Sequence, residues 1–242
     1  MQTTLNYSPN FDIKKRKSKD IKFIIFHYTG MKNEKDTINR LTTCDSKVSC
    51  HYLIKSNGQI LTLVPDLYIA WHAGVSSWKK YKSLNKYSIG IEISNSGHDY
   101  KYKNFNKSQI NSILKLSKFL IKKYNIQSKF ILGHSDISPD RKKDPGEKFP
   151  WYYLSQKKIG IWHNLNEIQL IKTRGQKIKK NYKNIFIKNL NRIGYPKNLN
   201  KKKSYLNFLT IAFQRRFRQQ LINGIVDKEC LLLSQNLVKK FK

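Results

Sequence analysis

Acidic residues are scarce in this 242-residue chain: 15 Asp and Glu stand against 48 Lys and Arg, a formal charge of +33. Such a field favours polyanions, whether nucleic acid, anionic lipid or an acidic cell-wall polymer. The basic residues are mostly Lys, beside many Asn and Ile, the residue bias of an AT-rich genome, so charge alone does not decide the partner. Cysteine is rarer still. Cys44, Cys50 and Cys230 are an odd number without paired metal-ligand spacing, which removes a zinc-finger reading. Cys44 and Cys50 could bridge in an exported product, whereas a cytosol would keep them as thiols. No apolar run is long enough to span a bilayer, and the N-terminal stretch MQTTLNYSPNFDIKKRKSKD lacks the apolar core of a secretory signal. The expectation is a soluble cytoplasmic protein, with export left to a non-standard route. There is neither a glycine-rich phosphate loop nor an RNA-binding aromatic signature, so no specific nucleic-acid partner is expected. Oligomeric state is not legible.

Hydrophobic residues at 39%, with 12% aromatics, suffice for a core. Residues 1–20, polar and basic, read as an arm. KFIIFHYT is an apolar run of strand length that ends on His27, and residues 34–43 suit a short helix. The segment 50–65 holds two strand-like runs around Asn57-Gly58, a hairpin signal. YSIGIEIS (87–94) is β-rich and carries Glu92, while Ile110, Ile113, Leu114, Ser117, Leu120, Ile121 and Tyr124 recur at helical spacing. KFILGH (129–134) ends on His134. This alternation predicts an α/β domain over 21–155, with a mixed central sheet flanked by helices and functional groups at strand ends. Residues 156–182 read as a basic linker. Residues 183–242 read as a small all-α module of three helices, the last N-capped by Asp227.

The loop between His134 and Asp144 contains Pro139 and is followed by Pro145 and Gly146, residues suited to folding a carboxylate back to a strand end. Catalytic zinc takes three protein ligands and leaves a fourth position open. Two strand-end histidines, His27 and His134, plus Asp144 would fill that role. A base and a cation for the developing oxyanion are also required, and Glu92 and Lys142 fit those needs.

The segments FIIFHYT, VSCHYLIKSNGQI, AWHAGVSSW, YSIGIEISN and GHSDISPDRKKDPGEKFPW, in that order from Lys22 to Trp151, resemble the zinc-dependent N-acetylmuramoyl-L-alanine amidases. These share a fold with phage lysozyme-type amidases and peptidoglycan-recognition proteins. The resemblance implies one Zn2+ per chain on His27, His134 and Asp144, with Glu92 as proton acceptor and Lys142 beside the oxyanion. It implies hydrolysis of the amide between the lactyl group of N-acetylmuramic acid and L-alanine, in peptidoglycan or muropeptides of a bacterial wall. The tail, with IGYPKN, AFQRRFR and GIVDKECLLL, is similar to a three-helix peptidoglycan-binding module.

Other polar residues carry weaker expectations. His51 and His72 suit the substrate groove or the fold rather than zinc. Tyr28 and Thr29 could orient His27, and Trp71 and Trp78 serve either a sugar cleft or the core. Asn95 is a substrate-contact candidate, and no role is assigned to His98 or His163. A catalytically silent peptidoglycan-recognition module is the alternative from another class. It is disfavoured because all three ligands, the glutamate and the lysine are present. A basic nucleic-acid binder is a third reading.

Overall fold

A computed structural model describes residues 3–197 and 204–241. The strands are β1 (Thr4–Leu5), β2 (Phe11–Asp12), β3 (Phe23–Tyr28), β4 (Tyr52–Ile54), β5 (Ile60–Thr62), β6 (Ile69–Ala70), β7 (Ser77–Trp78), β8 (Tyr81–Lys82), β9 (Ser88–Ile93) and β10 (Ile131–Gly133). Six of them form the central sheet in the order β1-β5-β4-β9-β3-β10. All pairs in it are parallel except β4 with β5, the expected hairpin, which turns through Gly58 at φ +85°. The central strands β3 and β9 read as apolar runs because both of their faces are covered.

The helices are α1 (Glu34–Thr42), α2 (Lys107–Tyr124), α3 (His134–Ile137), α4 (Trp151–Gln156), α5 (Glu167–Thr173), α6 (Lys180–Ile193), α7 (Tyr205–Phe217) and α8 (Lys228–Lys240). Local chemistry sets several of their ends. Asn106 and Gln109 form a capping box at the start of α2, and Asn125 closes it in the left-handed conformation. Asp227 caps α8 as expected, its side chain accepting from the Cys230 amide. Helix α2 presents Ile113, Leu116 and Leu120 to the sheet face formed by Ile24, Phe26, Ile89 and Ile91. The opposite face, with Phe23 and Ile25, shares one core with Trp78, Leu132, Phe186, Leu190, Phe213 and Leu233, so α6, α7 and α8 form the second covering layer.

Three expectations about organisation are corrected. Residues 1–20 do not stand apart as an arm, because β1 extends the main sheet and β2 pairs with β6. Arg16 is buried and donates to the carbonyls of Asp66, Asn85 and Ser88. Residues 156–182 are not a free linker: Ile159 and Leu170 are buried, and Arg174 makes a two-bond pair with Glu229 of α8 at 2.7 and 2.8 Å. The tail is not a satellite either, since its helices complete the core of the sheet. Its last residue and the stretch 198–203, including the end of IGYPKN, lie outside the described residues. Helix α7 stops at Phe217, and Arg218 turns inward to the buried carboxylates of Asp227 and Glu229. The three cysteines are free thiols, with Cys50 buried and Cys44 exposed.

Candidate metal centre

Side chains alternate along a strand, so Phe23, Ile25 and His27 share the face of β3 that looks toward the C-terminal helices. His27 is the register partner of Glu92 on β9. His134 opens α3 directly after β10, and β10 pairs with β3 on its other side. The loop after α3 then returns. The Ser135 amide donates to the Asp144 carbonyl at 2.8 Å, and the Pro145 ring packs where a Cβ on Gly133 would sit 2.6 Å from it. Glycine at 133 is what allows this approach. The carboxylate ten residues after His134 thereby comes back to it.

His27 Nδ1, His134 Nδ1 and Asp144 Oδ2 form a triangle with all three sides 3.0 Å. The opposite ring nitrogens fix the tautomers. His134 Nε2–H donates to the Ala73 carbonyl at 3.1 Å. Ser88 gives its own proton to the Leu84 carbonyl, so its oxygen must accept from His72 Nε2–H at 3.1 Å. That leaves His72 Nδ1 bare, and it accepts from His27 Nε2–H at 3.0 Å. Both histidines therefore aim unprotonated Nδ1 lone pairs at each other and at a carboxylate oxygen. Three mutually facing acceptors repel unless a cation lies among them, and two imidazoles with one carboxylate suit zinc. Burial first, and then the His134 ring, push His27 down to about 4, so it is neutral at pH 7. Burial opposes ionisation of Asp144, but positive charge on the His134 or His27 ring, when either is protonated, favours it more strongly and holds the carboxyl below its usual range. A neutral His27 and an ionised Asp144 are in the protonation states a metal ligand needs.

The triangle lies in a groove of about 410 Å³ whose walls include Glu92, Trp71, Arg40, Lys142 and Thr29. Glu92 Oε2 is buried and, among the described residues, makes no hydrogen bond. Burial, and then the Asp144 charge, raise its pKa well above the ordinary carboxylate value, and Lys142 opposes that rise. Lys142 is half-buried, and among the described residues its Nζ has no hydrogen-bond or salt-bridge partner. Its neighbours are engaged differently. Arg141 donates to the carbonyls of Ala73 and Val75, and Lys143 pairs with Asp99 at the exposed rim.

The remaining expected site residues divide. Trp71 lines the groove and donates Nε1–H to Asp12 at 2.7 Å. His72 lines it too, but stands behind His27 over Gly90, where a Cβ would be 2.4 Å from its ring. His51 is not in the groove. It is fully buried, accepts from the Gly90 amide at 3.0 Å, and faces the Tyr68 carbonyl. Burial and then Arg16 push it down to about 3, so it is a neutral framework residue. Asn95 is also outside the groove, its side chain holding Gly97 and Lys103 of the following loop. Trp78 is wholly buried against Tyr195. Neither Tyr28 nor Thr29 orients His27: Tyr28 bonds His98 across the opposite face, and Thr29 bonds the Asn95 carbonyl. His98, assigned nothing from sequence, links Tyr28 to Glu147. Asn85 was missed altogether, yet its Oδ1 accepts from the amides of His72 and Ala73 and so fixes the segment behind both histidines. No local pattern marks such a residue, because its partners lie 12 and 13 positions away.

Comparison with known proteins agrees with this geometry. Residues 17–147 match the N-acetylmuramoyl-L-alanine amidase family Amidase_2. The chain is 33% identical over 234 residues to N-acetylmuramoyl-L-alanine amidase AmiD of Escherichia coli K12, covering 91% of this chain and 83% of that protein. It superposes with TM-score 0.81 on a solved complex of AmiD with anhydro-N-acetylmuramic acid-L-Ala-D-gamma-Glu-L-Lys, covering 91% of this chain and 90% of that one. A crystal structure of AmpDh3 from Pseudomonas aeruginosa with an anhydromuramic pentapeptide also gives TM-score 0.81, at 29% identity and 99% coverage of both chains. On the match across the sheet and the loop that carries the converging histidines and aspartate, the chain belongs to the N-acetylmuramoyl-L-alanine amidase family.

Proposed function

We propose that the protein hydrolyses the amide joining the lactyl group of N-acetylmuramic acid to L-alanine, with Zn2+ held by His27, His134 and Asp144. The observation that carries this is the 3.0 Å triangle of ligand atoms whose protons are all directed elsewhere. Zinc bound there supplies Lewis acidity, acidifying water and polarising a carbonyl oxygen. Glu92, one strand away with a free buried oxygen, accepts the proton of the attacking water and returns it to the departing amine of L-alanine. Lys142 directs its uncommitted ammonium toward the scissile carbonyl oxygen as negative charge develops. Trp71 and the basic rim at Arg40 border the path for sugar and stem peptide.

Both solved relatives hold anhydromuramyl peptides, which supports soluble muropeptides as substrates here. In this reading residues 21–155 carry the chemistry, 1–20 and 156–182 serve as framework, and the helices of 183–242 add a peptidoglycan-binding-like layer through which polymer would also be met. No helix among the described residues is long and apolar enough to cross a membrane.

The test is metal content measured together with cleavage of defined muropeptides and of intact sacculus, with and without chelator, beside Asp144→Ala. Stoichiometric zinc, and lactyl–alanine cleavage lost both to chelator and to Asp144→Ala, is expected. Zinc-free protein that binds muropeptides without cleaving them would overturn the proposal in favour of a recognition module.

A further inference from the structure

We infer that Arg216 and Tyr195, both in the C-terminal helical layer, are positioning residues for the metal ligand His134. This rests on the zinc reading above. They act through Asp136, which lies two residues after His134 and is 1% exposed. One oxygen of Asp136, Oδ2, accepts from the Gly133 amide at 2.8 Å and from Arg216 Nη1. The other, Oδ1, accepts from the Tyr195 hydroxyl at 2.7 Å. Arg216 is itself 2% exposed, donates Nη2 to the Ile131 carbonyl at 2.9 Å, and lies 4.3 Å over the Trp151 ring. A single guanidinium thus grips both the start of β10 and, through Asp136, the peptide that leads into His134.

The same turn sets the third ligand, since Ser135 holds the Asp144 carbonyl. A fork of rigid donors is needed to reach a carboxylate and a carbonyl together, and an ammonium has no such fork. The layer contains its own control. Arg218 is equally buried and pairs with Asp227 and Glu229, whose other side-chain hydrogen-bond partners among the described residues, Arg174, Gly175 and Cys230, lie outside the metal centre. A stabilising role would be common to both arginines, and a positioning role belongs to Arg216 alone.

The experiment uses the full chain. The zinc dissociation constant is measured by competition with a chromophoric chelator for wild type, Tyr195→Phe, Arg216→Lys and Arg218→Lys, and the metal-free proteins are melted in parallel. We expect Tyr195→Phe and Arg216→Lys to weaken zinc binding by about tenfold, the lower end for groups that orient a metal ligand. Arg218→Lys is expected to lose melting temperature while keeping wild-type affinity. Unchanged affinity in folded Tyr195→Phe and Arg216→Lys, or an equal loss in Arg218→Lys, overturns the inference. Should Arg216→Lys not fold, Tyr195→Phe decides, because it removes one hydroxyl and keeps the ring against Trp78. A wild type that binds no zinc defeats the amidase reading itself. A zinc-binding, active wild type with unmoved variants defeats only the positioning role.

Discussion

His27 and Glu92 occupy paired positions on the parallel strands β3 and β9, so the proposed first metal ligand and the proposed base are presented from neighbouring backbones. Neither depends on a loop for its placement. Mutual position is fixed by ladder hydrogen bonds in the centre of the sheet, which suits a site that must hold reacting groups in a set geometry.

Glu92→Gln should leave zinc bound while lowering kcat about 10²- to 10⁴-fold, the usual contribution of a positioned base. The stability effect runs the other way. Burial raises the Glu92 pKa, so its protonated form is favoured in the folded protein. The stability associated with that form is complete below the unfolded value near 4.3 and is lost as pH rises through the folded value. Metal-free Glu92→Gln should therefore melt higher than wild type at pH 7–8, and the difference should vanish toward pH 4. A Gln variant less stable than wild type at pH 8 would contradict the assignment of cause.

Lys142→Met should reduce kcat by about 10²- to 10³-fold, as removal of an oxyanion donor does. Its Nζ supports no structural contact among the described residues, so melting temperature and zinc content should stay near wild type. Steady-state kinetics beside metal analysis separates this from a folding defect.

Gly90→Ala reaches the metal centre without altering a ligand. The new Cβ would lie 2.4 Å from the His72 ring, forcing it away from His27 Nε2. Zinc affinity should fall by about 10- to 100-fold, as when an orienting partner of a ligand histidine is lost. A competition titration reads this directly, and Gly90→Ala with wild-type affinity would show that His72 does not orient His27.

Arg16→Met tests whether the N-terminal segment is part of the framework. The change strands the carbonyls of Asp66, Asn85 and Ser88 in the interior. A loss of about 2–5 kcal/mol is expected by denaturant titration, in line with unsatisfied buried polar groups. A change under 0.5 kcal/mol would restore the view of residues 1–20 as a dispensable arm.

The histidines at the ends of KFIIFHYT and KFILGH, the Asn57-Gly58 hairpin and the capped helix α2 were legible because each is a local pattern. Strand runs, turn residues and helical spacing are written within a dozen positions. The ordered motifs also singled out His27, His134, Asp144 and Glu92, which line one groove. What the sequence left open is of longer range. The tautomers of His27 and His134 depend on His72, Ser88 and the Ala73 carbonyl, which come from other elements. His51 and Asn95 carry motif neighbours that suggest a groove, yet packing turns both away from it. Arg16, charged and in a lysine-rich stretch, gives no sign that three buried carbonyls await it. Asp136 and Arg216 are 80 positions apart and meet only because α6–α8 cover the face of the sheet that bears His27. Local periodicity determines which segments become strands and helices. Which buried polar groups satisfy one another is decided only when those segments pack, since a polar group loses its water then and must take whichever partner the fold brings to it.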